Sequence, residues 1–300
     1  MNDDPLLRAA VGRACDTGDG GAGTPRIATV RAVGGGSICH SRLVGLDDGR
    51  RLFVKTRSDA PEGLFEAEHR ALQTLAACAP EGLCIPCPLA SGQSFIALEA
   101  LDLDGAPRAA AWQAALGQGL ARLHLASRRD GFGLGQDNFI GLSPQPNGWC
   151  GDWIEFWREH RLGWQLEMFA RRAGPDDALL KAGRRLQARL ADVLAHPPEP
   201  AVALHGDLWS GNAGALSDSG TPALFDPALY YGHREAEFGM MRLFGGFGAR
   251  CETAYGEIWP LADGADRRIL CYRLYHELNH LNLFGGGYYQ SCLDTLRRLL

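Results

Sequence analysis

The chain has 300 residues, 46% of them hydrophobic and 22% charged, with 30 Lys and Arg against 35 Asp and Glu for a net charge of −5. That length and composition fit one large domain or two lobes sharing a cleft, and without a basic block nucleic-acid binding is not expected. No apolar run reaches the roughly 18 residues of a membrane span.

The opening MNDDPLLRAAVGRA lacks the basic start and apolar core of a signal peptide, so a cytoplasmic location is expected. The nine cysteines follow no framework pattern, and most should be buried thiols. Cys84 and Cys87 form an isolated CxxC with no second pair at zinc-ribbon spacing.

A short helix should open the chain, followed by a glycine-rich stretch from Gly18 to Gly23. Three β-rich runs come next, at 27–33, 41–46 and 51–55. Asp47-Asp48-Gly49 is the hairpin signal between the last two. Apolar residues at helical spacing predict a helix over 65–76, and 94–100 reads as a buried strand. From about 109 the pattern is helical, at 109–126, 153–173, 176–194, 235–244, 250–259, 266–283 and 290–300. Short strands at 201–204 and 223–225 interrupt it. The expected fold is α+β and two-lobed, like a protein kinase. It has an N-terminal lobe over 1–100, a linker over 101–108 and a helical lobe over 109–300, with a ligand cleft at the junction.

The chemistry concentrates in His205-Gly-Asp-Leu-Trp-Ser-Gly-Asn212. An Asp after an apolar strand, an Asn five residues on, and a second strand ending in Phe225-Asp226 is the layout of a phosphoryl-transfer centre. A carboxylate beside the acceptor hydroxyl takes its proton, which makes Asp207 the candidate base. Magnesium prefers hard oxygen ligands, which Asn212 and Asp226 supply. In the first lobe, Gly34, Gly35, Gly36 and Ser37 join two strands in a turn whose backbone can approach phosphate. Lys55 closes the third strand opposite that turn, and Glu68, thirteen positions on, is its expected partner, with Glu66 the alternative. Glu99 and Leu101, where the chain leaves the first lobe, are candidate contacts for adenine. ATP and Mg2+ are the implied cofactors.

At these residues the chain resembles the fructosamine kinase (ketosamine 3-kinase) family, a branch of the aminoglycoside-phosphotransferase-like kinases. HGDLWSGN at 205–212, FDPALYYGHREAE at 225–237, Gly245-Gly246-Phe247 up to Tyr255, YHELNHLNLFGGGY at 275–288 and the segment 132–166 carry the resemblance over nearly the whole chain. It implies ATP-dependent phosphorylation of the 3-hydroxyl of a ketosamine, and a substrate either free or on a glycated protein, with a monomer or homodimer as the expected assembly, fits that reading. The family's base falls on Asp207, its metal ligands on Asn212 and Asp226, and its lysine and helix glutamate on Lys55 and Glu68. Where the family often carries a cysteine after its glycines, this chain has Ser37, with Cys39 two residues later.

A pocket for such a substrate needs hydrogen-bonding groups and an aromatic wall. Trp209, His233, Glu235, Asn279 and His280 are the candidates, and His276-Glu-Leu-Asn-His280 is set aside as a zinc motif. Another small-molecule kinase, acting on an aminoglycoside, choline or a sugar, is the alternative enzyme. An aminoglycoside site should be more acidic than 270–290, which has one carboxylate, Glu277. A non-catalytic kinase-fold scaffold would have lost one of Lys55, Asp207, Asn212 or Asp226, and all four are present.

Overall fold

The computed structural model describes residues 4–16, 25–34, 38–105, 107, 109–174 and 177–300. The first part is a five-stranded antiparallel sheet in the order β1-β2-β3-β5-β4. Its strands are β1 (Ile27–Val33), β2 (His40–Leu46), β3 (Arg51–Thr56), β4 (Pro88–Gly92) and β5 (Phe95–Glu99). Side chains alternate across it. Val44, Leu52, Val54 and Ala97 pack under α1 (Pro5–Ala14) through Leu7, Ala10 and Val11. Ile96 and Leu98 face the other way, toward Phe65, Leu72 and Leu75 of α2 (Leu64–Cys78). Phe53 and Lys55 share that second face. Glu68 lies three residues after Phe65 and four before Leu72 on α2, so the lysine and the glutamate are set facing each other.

The segment expected to be a bare linker carries β6 (Leu103–Gly105), which adds to β10 (Ala213–Leu216) and β11 (Pro222–Leu224) in a second sheet. α3 (Ala110–Ala126) follows, then the hairpin of β7 (Asn138–Ile140) and β8 (Ser143–Gln145). The expected helix 153–173 is split. α4 (Trp153–Phe156) passes into a π-helical stretch, Trp157–Gly163, before α5 (Trp164–Ala170). After α6 (Ala178–Ala188) and α7 (Leu190–Leu194), β9 (Val202–Leu204) pairs with β12 (Tyr230–Gly232). α8 (Glu237–Phe244), α9 (Ala249–Ile258), α10 (Ala265–Phe284) and α11 (Tyr288–Leu299) complete the fold.

α3 and α9 lie close because Gly117 has no side chain. A Cβ there would sit 2.0 Å from the carbonyl oxygen of Cys251. One hydrophobic cluster runs through the junction, from Phe65, Leu72 and Ile96 to Leu116, Leu208, Phe238 and Tyr255. The cleft between sheet and helices therefore has a fixed floor. Among the described residues no helix is long and apolar enough to cross a membrane.

Candidate active site

Two short strands deliver the carboxylates. β9 runs into His205-Gly206-Asp207, and β11 runs into Phe225-Asp226. The two loops are tied by backbone and imidazole. Ala228 N–H donates to the His205 carbonyl (2.8 Å), and Phe225 N–H donates to the Asn212 carbonyl (3.1 Å). The His205 ring donates from Nε2 to the Phe225 carbonyl at 2.9 Å and accepts the Asp207 N–H on Nδ1 at 3.3 Å. These partners fix its tautomer, and burial lowers its pKa, which keeps the ring neutral. Beneath it the buried carboxylate of Glu237, at the start of α8, accepts the N–H groups of His205 (2.6 Å) and Gly206 (3.1 Å). Gly206 adopts φ +81°, and a Cβ would stand 2.2 Å from the Ala228 carbonyl oxygen, so only glycine fits that turn.

Asp226 is the one non-glycine residue with positive φ (61°) among those described. Such backbone costs about 1–2 kcal/mol and persists where surrounding structure demands it. Here it turns the carboxylate back toward β3, where Lys55 Nζ bonds both Asp226 Oδ1 and, at 2.6 Å, Glu68 Oε1. Burial alone would lower the Lys55 pKa, but the Asp226 and Glu68 carboxylates outweigh it and raise it, so the ammonium stays charged. Glu66 is not involved in this pairing, and Glu68 is the partner.

Asn212 Nδ2 donates to the Asp207 carbonyl (2.8 Å) and carboxylate (3.2 Å), and its side-chain oxygen could meet a cation. Burial first, and then the negative charge of Asp226, push Asp207 well above the usual carboxylate range. A hard dication beside these oxygens relieves that repulsion. One carboxylate and one amide oxygen are the sparse protein donor set that Mg2+ accepts alongside water and phosphate.

Asp207, Asn212, Asp226, Lys55 and Glu68 line one cavity of about 370 Å3. Ile38 and Cys39 border it from the end of the glycine turn, and Phe139 to Gly141 of the β7–β8 hairpin from the side. Trp209, Phe244, Asn279, His280, Phe284 and Tyr288 form a further, mainly aromatic stretch of its wall. The indole of Trp209 lies over Gly211, where a Cβ would come within 2.3 Å of it. His280 donates from Nδ1 to the His276 carbonyl (2.8 Å), which leaves Nε2 as an acceptor, and burial lowers its pKa.

The family model for fructosamine kinase matches residues 20–300. The chain belongs to the fructosamine kinase family. It is 41% identical over 277 residues to a chloroplastic protein-ribulosamine 3-kinase of Oryza sativa subsp. indica, covering 90% of this chain and 78% of that one. It is 33% identical over 297 residues to the ketosamine-3-kinase of Mus musculus, covering 89% and 93%. The crystal structure of a candidate fructosamine-3-kinase from Thermobifida fusca superposes with a TM-score of 0.84 at 32% identity, covering 100% of this chain and 99% of that one.

Several sequence expectations need correction in this member of the family. His233 and Glu235 do not face the cavity. His233 is stacked on Trp153 (4.9 Å between ring centroids) and packed against Phe132 and His196. Glu235 is fully buried under the Arg268 guanidinium, with bonds of 2.6 and 2.8 Å. Both are packed into the helical core instead, and the chain enters a 3-10 turn at Arg234–Ala236 rather than the helix expected from 235. Glu99 and Leu101 are not on the cavity wall either, and the Glu99 N–H is bonded to the Cys87 carbonyl (2.9 Å). Gly34 does not line the cavity, while Gly35, Gly36 and Ser37 lie outside the described residues.

The run 276–280 does carry H-E-x-x-H spacing, yet no group of three or more His, Cys, Asp or Glu among the described residues could hold a metal. Glu277 is engaged by Arg273 and Ser291 instead. Cys39 borders the cavity half-buried, and burial raises its thiol pKa. Cys84 and Cys87 are free thiols.

Sequence reasoning missed Glu237, Phe244, Phe284 and Tyr288. Glu237 closes the HREAE run, and each phenylalanine opens a Phe-Gly-Gly, at 244–246 and 284–286. That repeat is the signal that was available.

Proposed function

We propose that this fructosamine kinase family member transfers the γ-phosphoryl group of ATP to the 3-hydroxyl of a ketosamine. The relatives named as ribulosamine and ketosamine 3-kinases support the reaction. The observation that carries it is the meeting of Lys55, Asp207, Asn212 and Asp226 on one cavity wall. Asp207 accepts the proton of the 3-hydroxyl as its oxygen attacks the γ-phosphorus. The bond to the bridging oxygen breaks, and ADP leaves with those electrons. Lys55, held by Glu68, meets the phosphate oxygens and balances their charge. Asn212 and Asp226 would hold Mg2+, which when bound neutralises the polyphosphate. Trp209 and Asn279 position the sugar, and His280 Nε2 accepts one of its hydroxyls.

The test is a coupled ATP-turnover assay with ribulosyl-lysine, fructosyl-lysine, kanamycin and choline side by side. Turnover of the two ketosamines is expected. Turnover of kanamycin or choline alone would overturn the reading.

A further inference from the structure

The aromatic stretch of the cavity wall includes two helix ends of the same design. α8 stops at Phe244 and α10 at Phe284, and each is followed by a glycine with positive φ. The two caps have nearly the same backbone, Gly245 at φ 67°, ψ −151° and Gly285 at φ 70°, ψ −149°. Both rings line the cavity, yet they are 43% and 57% exposed. His280 stands between them, 4.9 Å from Phe244 and 5.6 Å from Phe284, with Tyr288 at 5.2 Å. Trp209 joins the row 5.8 Å from Phe244. The Phe244 turn is seated on the loop after Asp207, since a Cβ on Gly246 would meet the Ser210 side chain at 2.3 Å. The rings therefore continue the wall on which the reacting hydroxyl rests.

We infer that Phe244 and Phe284 form a specificity-determining mouth for the nitrogen-bearing arm of the substrate, favouring an arm that is apolar beside the nitrogen over one with a carboxylate there. This rests on the ketosamine reading above. With the 3-hydroxyl at Asp207 and the sugar against Trp209, the nitrogen would run toward this row, which adjoins Trp209 through Phe244. A secondary amine is protonated near neutral pH, and ring faces attract that charge while their carbon surface covers the attached methylenes. A carboxylate in the same place meets the negative faces of the rings. Lys55, the cation on the cavity wall among the described residues, is already held by Glu68 and Asp226. The C-terminal carbonyls of α10 at Leu281 and Asn282 are taken by Arg172.

The experiment uses the full chain with Mg2+ and ATP, and two ketosamines with the same sugar, one made from n-butylamine and one from glycine. The parent should favour the butyl compound by about tenfold or more in kcat/KM, the discrimination an apolar pocket gives. The double variant Phe244→Ala, Phe284→Ala should bring that ratio toward one, and the Phe244→Tyr, Phe284→Tyr pair should retain it. Phe284→Lys, at a ring more than half exposed, should shift preference toward the glycine compound. A parent ratio near one overturns the inference, as does an equal loss on both substrates in the alanine pair. If the parent phosphorylates neither compound, the ketosamine reading falls, and this inference falls with it.

Discussion

The two ends of the cavity are held by opposite means. At the phosphate end the lysine and the candidate base are each fixed more than once. Lys55 is gripped by two carboxylates, and Asp207 is backed by His205, Asn212 and, through the backbone, Glu237. At the acceptor end the groups are mainly rings, two of them exposed at helix ends. In-line transfer of a charged group demands fixed geometry at the first end. The second end needs only a surface of the right chemistry, which can change without disturbing the first.

That contrast breaks most visibly at Asp207. Asp207→Asn should lower kcat by about 10²–10⁴-fold, with little change in the KM for the ketosamine, in steady-state kinetics. A fall confined to KM would place the residue in binding rather than proton transfer. Lys55→Met comes next, with kcat/KM for ATP expected to fall on the order of 10²-fold. That variant also leaves Glu68 buried without its cation, so its unfolding temperature should drop as well.

Glu237→Gln sharpens the account of what lies under the loop. It exchanges a charged acceptor of two N–H groups for a neutral one and should cost about 1–3 kcal/mol of stability in chemical denaturation. Its kcat should fall along with stability, because His205 and Gly206 carry Asp207. Stability lost with kcat unchanged would mean the loop is held by other groups.

The smallest effect concerns Glu235, which lies outside the cavity. Burial would raise its pKa, but Arg268 and His196 outweigh burial and hold it at about 2 against an ordinary 4.5. A carboxylate depressed by folding stabilises the protein above its unfolded value and loses that contribution as pH falls through its folded value. Unfolding free energy should therefore decline between about pH 4.5 and about pH 2. Glu235→Gln should flatten that part of the curve, and an unchanged slope would remove Glu235 as its source.

The meeting of Lys55, Glu68, Asp207, Asn212 and Asp226 on one cavity wall was legible in the sequence from their spacing. A lysine at a strand end, a glutamate on the next helix, and Asp and Asn five apart after an apolar strand leave few folds in which they do not meet. The acceptor end was harder to read. His233 and Glu235 follow Asp226 closely in sequence, yet after β12 they pack against Trp153 and Arg268 rather than the cavity. Phe244 and Phe284 are forty positions apart, and only the packing of α8 against α10 brings them to one mouth.

Several short strands also escaped notice, β4 and β10 among them. β4 has Pro88 and Gly92 at its ends and reads as a turn, but it is the edge strand, where proline is tolerated. β10, Ala-Gly-Ala-Leu, has weak β character of its own and is set by its neighbours β6 and β11.

The most direct test is product analysis by mass spectrometry and 31P NMR after incubating the protein with ATP, Mg2+ and ribulosyl-lysine, beside the Asp207→Asn variant. The account predicts a single phosphate on the sugar 3-oxygen with the parent, and almost none with the variant. Phosphate on another oxygen, or equal product from both proteins, would contradict it.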